Sequence, residues 1–255
     1  MLKLTVLGAG TILPRPEYSQ SGYLVELATG EKILLDCGAG TILRLTEIGI
    51  AAQEIDFLFF THSHLDHTGD FPSLLWGKRH PALPKNADLT VYYPPKMEGF
   101  YENLTKTYGH MVAPSKYQLK CHTFPKETGI VEENFRINAF EMDHMVQTYG
   151  YRLETNDGVI AYCGDSDKTP ELIPLGKEAD ILILECAYPD HLKTKGHLSP
   201  SECGQVAAET GCKHLVLTHF YPWCLEDLEN VVECCRQYYS GKLTLAKDKV
   251  SIEVP

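Results

Sequence analysis

One short segment limits what this chain can fold into more than any other. Directly after the apolar run 57–60, three imidazoles and one carboxylate fall within six positions, at His62, His64, Asp66 and His67. Imidazole and carboxylate groups are natural ligands of zinc-like divalent cations, and a loop at the end of a strand can turn alternate side chains toward one spot. No lysine or arginine accompanies the run, so a solvated histidine patch explains it poorly. The segment predicts a strand that ends in a metal site.

The rest of the chain alternates short apolar runs with helical spacing, which predicts an α/β protein with mixed sheets. The predicted strands are 2–7, 23–27, 32–36, 56–60, 89–93, 135–142, 150–154, 159–163, 181–184, 214–217 and 243–245. Helices are predicted over 39–48 and 199–211, the second opened by the capping sequence Ser199-Pro200-Ser201-Glu202. The turn Asn156-Asp157-Gly158 predicts a hairpin in the middle of the chain.

No linker or low-complexity segment divides the chain, so residues 1–255 are predicted to form a single domain. The proline-rich stretch at Pro81, Pro84, Pro94 and Pro95 is assigned to loops within that domain.

Composition excludes several classes of protein. The apolar runs are far shorter than the ~20 residues of a membrane helix, and no export signal is visible, so a cytoplasmic protein without membrane contact is expected. The formal charge of −11 repels polyanions unless positive charge is concentrated locally. The nine cysteines include no C-x-x-C pair and are expected to be reduced thiols, mostly small core residues.

The histidine segment resembles the signature of the metallo-β-lactamase-fold hydrolases, His-x-His-x-Asp-His at the end of a strand. Three later segments resemble further motifs of that superfamily in the expected order: Asp143-His144, Gly164-Asp165-Ser166 and Leu217-Thr218-His219-Phe220. The resemblance implies a four-layer αβ/βα sandwich in which two mixed sheets are flanked by helices, with two metals held between the sheets.

The resemblance also implies which residues hold which metal. It assigns His62, His64 and His144 to one ion, Asp66, His67 and His219 to the other, and Asp165 to a bridge between them. Seven protein ligands for two divalent ions leave positions open for water, as a catalytic site requires. Zinc is the expected metal, with manganese or iron as alternatives, because histidine and aspartate serve all three.

A closer resemblance, to the ribonuclease Z branch, covers nearly the whole chain. It rests on the segments 66–75, 143–154 and 164–170, on Glu185, and on His197-Leu-Ser-Pro-Ser-Glu. In that branch the acid and the histidine form a relay that assists phosphodiester cleavage. The resemblance therefore implies that His197 donates a proton, that Glu185 orients it, and that Asp66 orients the attacking water.

One departure from the branch bears on the substrate. Ribonucleases Z that process tRNA usually carry an extended arm between the third histidine and the bridging aspartate, but the interval from His144 to Asp165 has room for only two short strands. With the charge of −11, this favours a smaller phosphodiester. An arm-less ribonuclease Z acting on tRNA 3′ trailers, or on other RNA, is the first alternative.

Other functions of the same fold stay open at this point. They are a thioester, lactone or β-lactam hydrolase, a di-iron redox protein, and a non-catalytic relative. The ribonuclease Z resemblance also implies a homodimer. His80, His110, His122, His191 and His214 are expected to be structural, and Lys193 and Lys195 are expected to be solvated.

Overall fold

The central strands bury side chains on both of their faces. In the computed structural model, which describes residues 1–80 and 87–254, Ile33 and Leu35 point into a core between two sheets, while Leu34 points into a second core under helices. Because successive side chains of a strand face opposite sides, a run of apolar residues fills two layers at once. The loop expected at Pro81 and Pro84 lies outside the described residues.

Within the described residues the strands form two mixed sheets of seven strands each. The strands of the first sheet, from one edge to the other, are β14 (Ser251–Glu253), β1 (Lys3–Gly8), β2 (Gly22–Glu26), β3 (Lys32–Leu35), β4 (Phe57–Phe59), β5 (Leu89–Tyr93) and β6 (Leu119–Thr123). The pairs from β14 to β3 are antiparallel, and those from β3 to β6 are parallel.

The second sheet repeats this arrangement. Its order is β7 (Ile130–Val131), β8 (Phe135–Met142), β9 (Thr148–Thr155), β10 (Gly158–Tyr162), β11 (Ile181–Glu185), β12 (His214–Thr218) and β13 (Lys242–Leu245). The pairs from β7 to β10 are antiparallel, and those from β10 to β13 are parallel. Each sheet is therefore an antiparallel meander continued by a parallel half.

Helices cover the outer faces of both sheets. In the described part of the chain they are α1 (Thr41–Glu47), α2 (Leu65–Thr68), α3 (Phe71–Lys78), α4 (Phe100–Tyr108), α5 (Leu172–Gly176), α6 (Pro200–Thr210), α7 (Pro222–Leu225) and α8 (Leu228–Arg236). Helices α1 and α3 pack on the first sheet, and α5, α6 and α8 pack on the second. The predicted four-layer αβ/βα sandwich is confirmed.

Aromatic side chains join the inner faces of the two sheets. The rings of Phe59 and Tyr151 lie 5.6 Å apart, and those of Tyr23 and Tyr162 lie 4.7 Å apart. Two of the tyrosine hydroxyls form hydrogen bonds with the opposite sheet. Tyr151 donates to the carbonyl of Phe60, and Tyr23 shares a hydrogen bond with Thr218. Edge-to-face pairs of this kind add to the free energy of burying the rings.

The capping sequence of α6 acts as predicted. The Glu202 side chain accepts the Ser199 backbone N–H, Pro200 opens the first turn, and the helix ends at Gly211 in the left-handed region, with φ 66°. The fixed start of α6 matters for the site, because His197 lies just before it.

Three strands were not predicted: β6, β7 and β14. All three lie at or next to sheet edges and have few buried apolar residues, so they carry no clear periodic pattern. All nine cysteines, each of which the structure describes, are free thiols, and seven are buried, as expected. Among the described helices, none has the length and apolar character needed to cross a membrane.

Candidate metal centre

The predicted metal ligands all follow the carboxyl ends of strands. The first four come after β4, where His62 and His64 lie in the loop and Asp66 and His67 lie on the short helix α2. The second sheet supplies the other three: His144 after β8, Asp165 after β10 and His219 after β12. Because these strand ends meet between the sheets, the structure brings all seven side chains together.

The first group consists of His62, His64, His144 and Asp165. One ligand atom of each lies within 4.8 Å of those of the others. Asp165 Oδ2 is 3.8 Å from His62 Nε2 and 3.9 Å from His144 Nε2. Three imidazoles and a carboxylate at this spacing form a ligand set suited to a divalent cation.

The second group consists of Asp66, His67 and His219, whose ligand atoms also lie within 4.8 Å of one another. The other oxygen of Asp165 faces this group, since Oδ1 is 3.3 Å from His67 Nε2 and 3.5 Å from His219 Nε2. Asp165 thus presents one oxygen to each group of histidines, which is the geometry expected of a bridging ligand.

Several inward-facing atoms of these groups lack any hydrogen bond within the described structure. They are His62 Nε2, His67 Nε2, His219 Nε2 and Asp165 Oδ1, and all are buried. Buried polar atoms are almost always satisfied in folded proteins, so unpaired lone pairs that converge on two points fit two divalent cations. The residues present therefore suit the metals that the sequence predicts.

The pKa shifts of His62 and Asp66 also suit metal binding. Burial and the neighbouring His67 lower the pKa of His62 well below its usual range, so that imidazole is neutral and can act as a ligand. Burial alone would raise the pKa of Asp66, but the imidazole of His219, 3.4 Å away, and that of His67 lower it to about 2. The carboxylate is therefore ionised.

Asp36 is a site residue that the sequence analysis missed. It follows β3 and is fully buried; its Oδ2 lies 2.8 Å from His67 Nδ1, while Thr61 and Tyr162 donate hydrogen bonds to the same carboxylate. The bond to Nδ1 leaves Nε2 of His67 directed at the metal group. The sequence offered one signal for this role. Asp36 directly follows the apolar pair Leu34-Leu35, just as the segment with His62 follows an apolar run.

A second network orients His144. Its Nδ1 donates to the carbonyl of Gly196 at 2.8 Å, and the Gly196 N–H donates to Asp167 Oδ2 at 2.9 Å. Gly196 has φ 86°, and a Cβ there would lie 3.2 Å from His144 Nδ1, so glycine suits this position. Lys193 binds Asp167 and Glu202, which corrects the expectation that it is solvated, whereas Lys195 is exposed.

His197 and Glu185 are paired, as the resemblance implied. His197 Nδ1 lies 2.9 Å from Glu185 Oε1, which also accepts the Ser166 N–H. Burial by itself lowers the pKa of His197, but the Glu185 carboxylate outweighs it and raises the pKa to about 9. The imidazole is therefore protonated at neutral pH, and one of its nitrogens lies within 4.8 Å of ligand atoms of Asp165 and His219.

A cavity of about 330 Å³ opens onto the two groups. It is lined by site residues and by apolar side chains: Ile12, His64, Leu65, Asp66, Met145, Asp165, His197 and Tyr221. None of the five histidines expected to be structural belongs to a metal-ligating group in the described part of the chain.

The interval from His144 to Asp165, described throughout, contains β9 and β10 joined by the two residues Asn156 and Asp157. Ten backbone positions of the two strands are paired in register from the turn onward. The interval thus consists of two paired strands and a two-residue turn.

Proteins of known family resemble the chain over nearly its whole length. A family model described as "Beta-lactamase superfamily domain" matches residues 31–220. The probable metallo-hydrolase YhfI of Bacillus subtilis is 27% identical over 256 residues, which cover 96% of this chain and 97% of that protein. A ribonuclease Z of Streptomyces coelicolor is 25% identical over 301 aligned positions, which cover 99% and 98%.

Two solved structures also align with nearly the whole chain. The crystal structure of YhfI, a metallo-β-lactamase fold protein, aligns with a TM-score of 0.85 at 25% identity and covers 98% of each chain. The short form of human tRNase Z aligns with a TM-score of 0.79 at 25% identity and covers 99% of each chain.

Proposed function

The chain belongs to the β-lactamase superfamily domain family, and from that membership we propose that it is a dinuclear metallohydrolase that cleaves phosphodiester bonds. The proposal further holds that it is ribonuclease Z-like in chemistry but acts on a substrate smaller than tRNA. Its metal is zinc, with manganese or iron as alternatives.

The observation that carries the proposal is the position of Asp165. Its two oxygens face two separate groups of imidazoles, at 3.3 Å from His67 Nε2 and 3.8 Å from His62 Nε2. His62, His64 and His144 would hold one cation, Asp66, His67 and His219 the other, and Asp165 both. When bound, two divalent cations lower the pKa of a water from ~15.7 toward ~7 and offset the charge of the phosphate.

The remaining chemistry falls to two side chains that reach the cavity. Asp66, ionised and at the cavity wall, accepts a hydrogen bond from the attacking water and orients it. The water gives up one proton to solvent as its oxygen forms a bond to phosphorus, and the bond from phosphorus to the departing oxygen breaks. The departing oxygen takes the proton of His197, which solvent then replaces, so the products are a phosphomonoester and an alcohol.

His197 supplies the proton for the departing oxygen. Its Nδ1 is bound to Glu185 at 2.9 Å, so its Nε2 is the nitrogen that can face a substrate. Because Glu185 keeps the imidazole protonated at neutral pH, His197 acts as an acid from the start of the cycle. Glu185 is a positioning residue.

The choice of phosphodiester over other substrates is supported by two relatives, one named ribonuclease Z and the other tRNase Z. The choice of a small diester is supported by the short β9–β10 turn and by the charge of −11. The alignment with the Streptomyces protein spans 301 positions against 255 residues here, so that protein has stretches that this chain lacks. A homodimer and a cytoplasmic location stay predictions.

The test compares two substrates on protein of measured metal content. We expect hydrolysis of bis(p-nitrophenyl) phosphate and no cleavage of a precursor tRNA that carries a 3′ trailer. The Asp165→Ala protein, purified in parallel, controls for contaminating phosphodiesterases.

Two results would contradict parts of the proposal. Cleavage of the tRNA at the trailer junction would make the enzyme an arm-less ribonuclease Z and reject the small substrate. Inertness toward both, with turnover of a thioester or lactone, would reject phosphodiester chemistry.

A further inference from the structure

Three aromatic side chains beside the metal centre form a surface that the hydrolytic chemistry does not use. They are Tyr188, Tyr221 and Trp223, called here the aromatic platform. We propose that this platform binds a nucleobase of the substrate, so that the enzyme acts on small nucleotidyl phosphodiesters. This inference rests on the proposed function, since it names the substrate class of the same site.

The three rings are nearly parallel. Tyr188 stacks on Tyr221 with ring centres 4.7 Å apart and planes 17° apart, and on Trp223 at 5.7 Å and 25°. The rings of Tyr221 and Trp223 lie 6.1 Å apart, at 27°. Every nucleobase has a flat π-face that can stack on aromatic rings of this kind.

The fold fixes the platform at the reaction centre. Tyr188 follows β11, the strand that ends in Glu185, whereas Tyr221 and Trp223 follow β12 and its ligand His219. A backbone hydrogen bond from Tyr221 to the carbonyl of Ala187 joins the two loops. The loops that carry the catalytic pair and the last ligand thus also position the platform.

The platform borders the cavity above the metals. Tyr221 lines that cavity, and its ring lies 6.1 Å from that of His197 and 6.0 Å from that of His219. Tyr188 lies 5.7 Å from His197, between ring centres. Two of the three platform rings thus lie about 6 Å from imidazoles of the metal centre.

The exposed side chains around the opening are apolar. Trp223 is 45% exposed, and at the cavity wall Leu65 is 71% exposed and Met145 is 75% exposed. Exposed apolar groups that surround a pocket mark a binding surface. They would receive a flat, weakly polar group such as a base and would leave the charged phosphate to the metal centre.

Charge favours a mononucleotide-sized ligand over a polymer. A nucleic-acid strand requires a row of cations, but the chain carries −11. Lys193, which donates to the carbonyl of His197, already binds two carboxylates. A cavity of about 330 Å³ falls in the range of small-molecule sites.

The kinetic test compares the dinucleotide ApA with an otherwise identical dinucleotide whose sugars carry no base. For the Trp223→Ala protein we expect the ratio of the two kcat/KM values, ApA over abasic, to fall about tenfold, mainly through the KM for ApA. Trp223→Phe should recover most of the ratio. Trp76→Ala is the matched control, since Trp76 is also exposed but lies on α3.

A binding test separates this inference from the proposed function. In the Trp76→Phe protein, Trp223 is the remaining tryptophan of the two in the chain. We expect AMP to change its fluorescence saturably, and ribose 5-phosphate to leave it unchanged, whether or not any diester is hydrolysed.

The outcomes are distinct. An unchanged ratio in Trp223→Ala, or an equal fall in Trp76→Ala, overturns the platform. If a short single-stranded RNA inhibits ApA hydrolysis at a lower concentration than AMP does, the claim that the substrate is small is overturned. If the wild-type protein hydrolyses none of the diesters, the proposed function is rejected. The fluorescence titration then tests the base site by itself: a saturable change with AMP supports it, and no change overturns it.

Discussion

At the scale of single residues, hydrogen bonds orient two of the candidate ligand imidazoles. His67 and His144 each use Nδ1 in a hydrogen bond, to Asp36 and to Gly196 respectively, and both bonds are 2.8 Å long. Fixing Nδ1 selects the tautomer and aims Nε2 at the metal group, which commonly raises affinity.

Two site residues also hold unfavourable backbone conformations. Asp36 has φ 60° and His219 has φ 57°, in the left-handed region that residues with a side chain rarely adopt. Such conformations cost of the order of 1–3 kcal/mol each and persist where surrounding contacts enforce them. Both residues follow strands whose buried side chains fix the chain direction.

The separate roles of the ligands and the proton donor give the first prediction. Asp165→Ala should lose metal and turnover together, because one carboxylate faces both groups of histidines. His197→Ala should retain metal and lose about 10²–10⁴ in rate, the usual contribution of general acid catalysis. Metal analysis beside hydrolysis of bis(p-nitrophenyl) phosphate measures both, and full activity in His197→Ala would contradict the assignment.

The sequence could suggest the seven candidate ligands because some are dense and the rest lie in segments that resemble family motifs. Four of them fall within six positions, and the others match motifs. Asp36 and Asp167 escaped because each is a lone carboxylate whose role depends on which imidazole or loop it meets in the folded chain. The contact of Asp36 with His67 joins positions 31 residues apart. The place of Asp36 after an apolar pair marks it as a candidate, but no local pattern records which residue it contacts.

At the scale of elements, one carboxylate contacts the loop 193–197 at two positions. Asp167 receives the Gly196 N–H on one oxygen and the Lys193 ammonium on the other, at 2.9 and 2.8 Å. The same loop carries His197 and the carbonyl that orients His144. Its position therefore affects both the proton donor and one metal ligand.

The second prediction concerns this loop. In Asp167→Asn an amide NH2 group replaces one of the two oxygens that accept hydrogen bonds from the loop, so one of those bonds is lost. The loop should shift, and metal affinity should fall about 10- to 100-fold. Zinc titration against a chromogenic chelator measures the change. Asp180→Asn is the control, because Asp180 likewise binds a lysine and a backbone N–H, each at 2.7 Å, away from the site. Equal affinities in the two variants would reject the role.

The third prediction concerns β12. His214, at its first position, is 5% exposed and shares a hydrogen bond of 2.8 Å with Thr244; burial and then Lys242 lower its pKa to about 4. Since the unfolded chain binds this proton from pH 6.5 downward and the folded chain does not, stability should fall as the pH falls from 6.5 toward 4. The loss attributable to this group is up to about 3 kcal/mol.

Urea unfolding across this pH range tests that prediction. His214→Gln should lose less stability than the wild-type protein on acidification, whereas His191→Gln, at an exposed position, should behave as the wild type does. Parallel curves for wild type and His214→Gln would contradict it.

The contrast between β12 and the missed strands shows what sequence can reveal about elements. All five residues of β12 are buried, so the run is apolar and visible. Strand β6, at the sheet edge, buries none fully, and β7 has two residues. The edge strand β13 was predicted because Leu243 and Leu245 alternate with Thr244, whereas β6, β7 and β14 are too short or too polar to show a clear pattern.

At the scale of the whole molecule, the two sheets share one site. The first sheet contributes His62, His64, Asp66 and His67, and the second contributes His144, Asp165 and His219. Each metal group therefore draws ligands from both sheets. The four-layer arrangement itself could be expected only through the family resemblance, because strand order across a sheet leaves no trace in local periodicity.

The fourth prediction follows from this sharing. Removing metal with a chelator should lower the melting temperature, because a cation at about 1,000 times its Kd stabilises the folded state by about 4 kcal/mol. For a chain of this size that corresponds to roughly 10 °C. Scanning calorimetry with and without chelator measures it, and Asp165→Ala, lacking the bridge, should not respond. Identical melting curves for both forms of the wild-type protein would contradict it.

The aromatic contacts between the sheets set the distance across which the metal ligands meet. Phe59 and Tyr151, 5.6 Å apart, and Tyr23 and Tyr162, 4.7 Å apart, touch no cation, yet they fix how far β4 stands from β9 and β2 from β10. A smaller side chain at one of these positions would let the sheets approach or tilt, and every distance from Asp165 to the histidines of the first sheet would change together. Metal affinity therefore reports the spacing of the two sheets, and substitutions deep in the apolar core can alter which cation the enzyme retains.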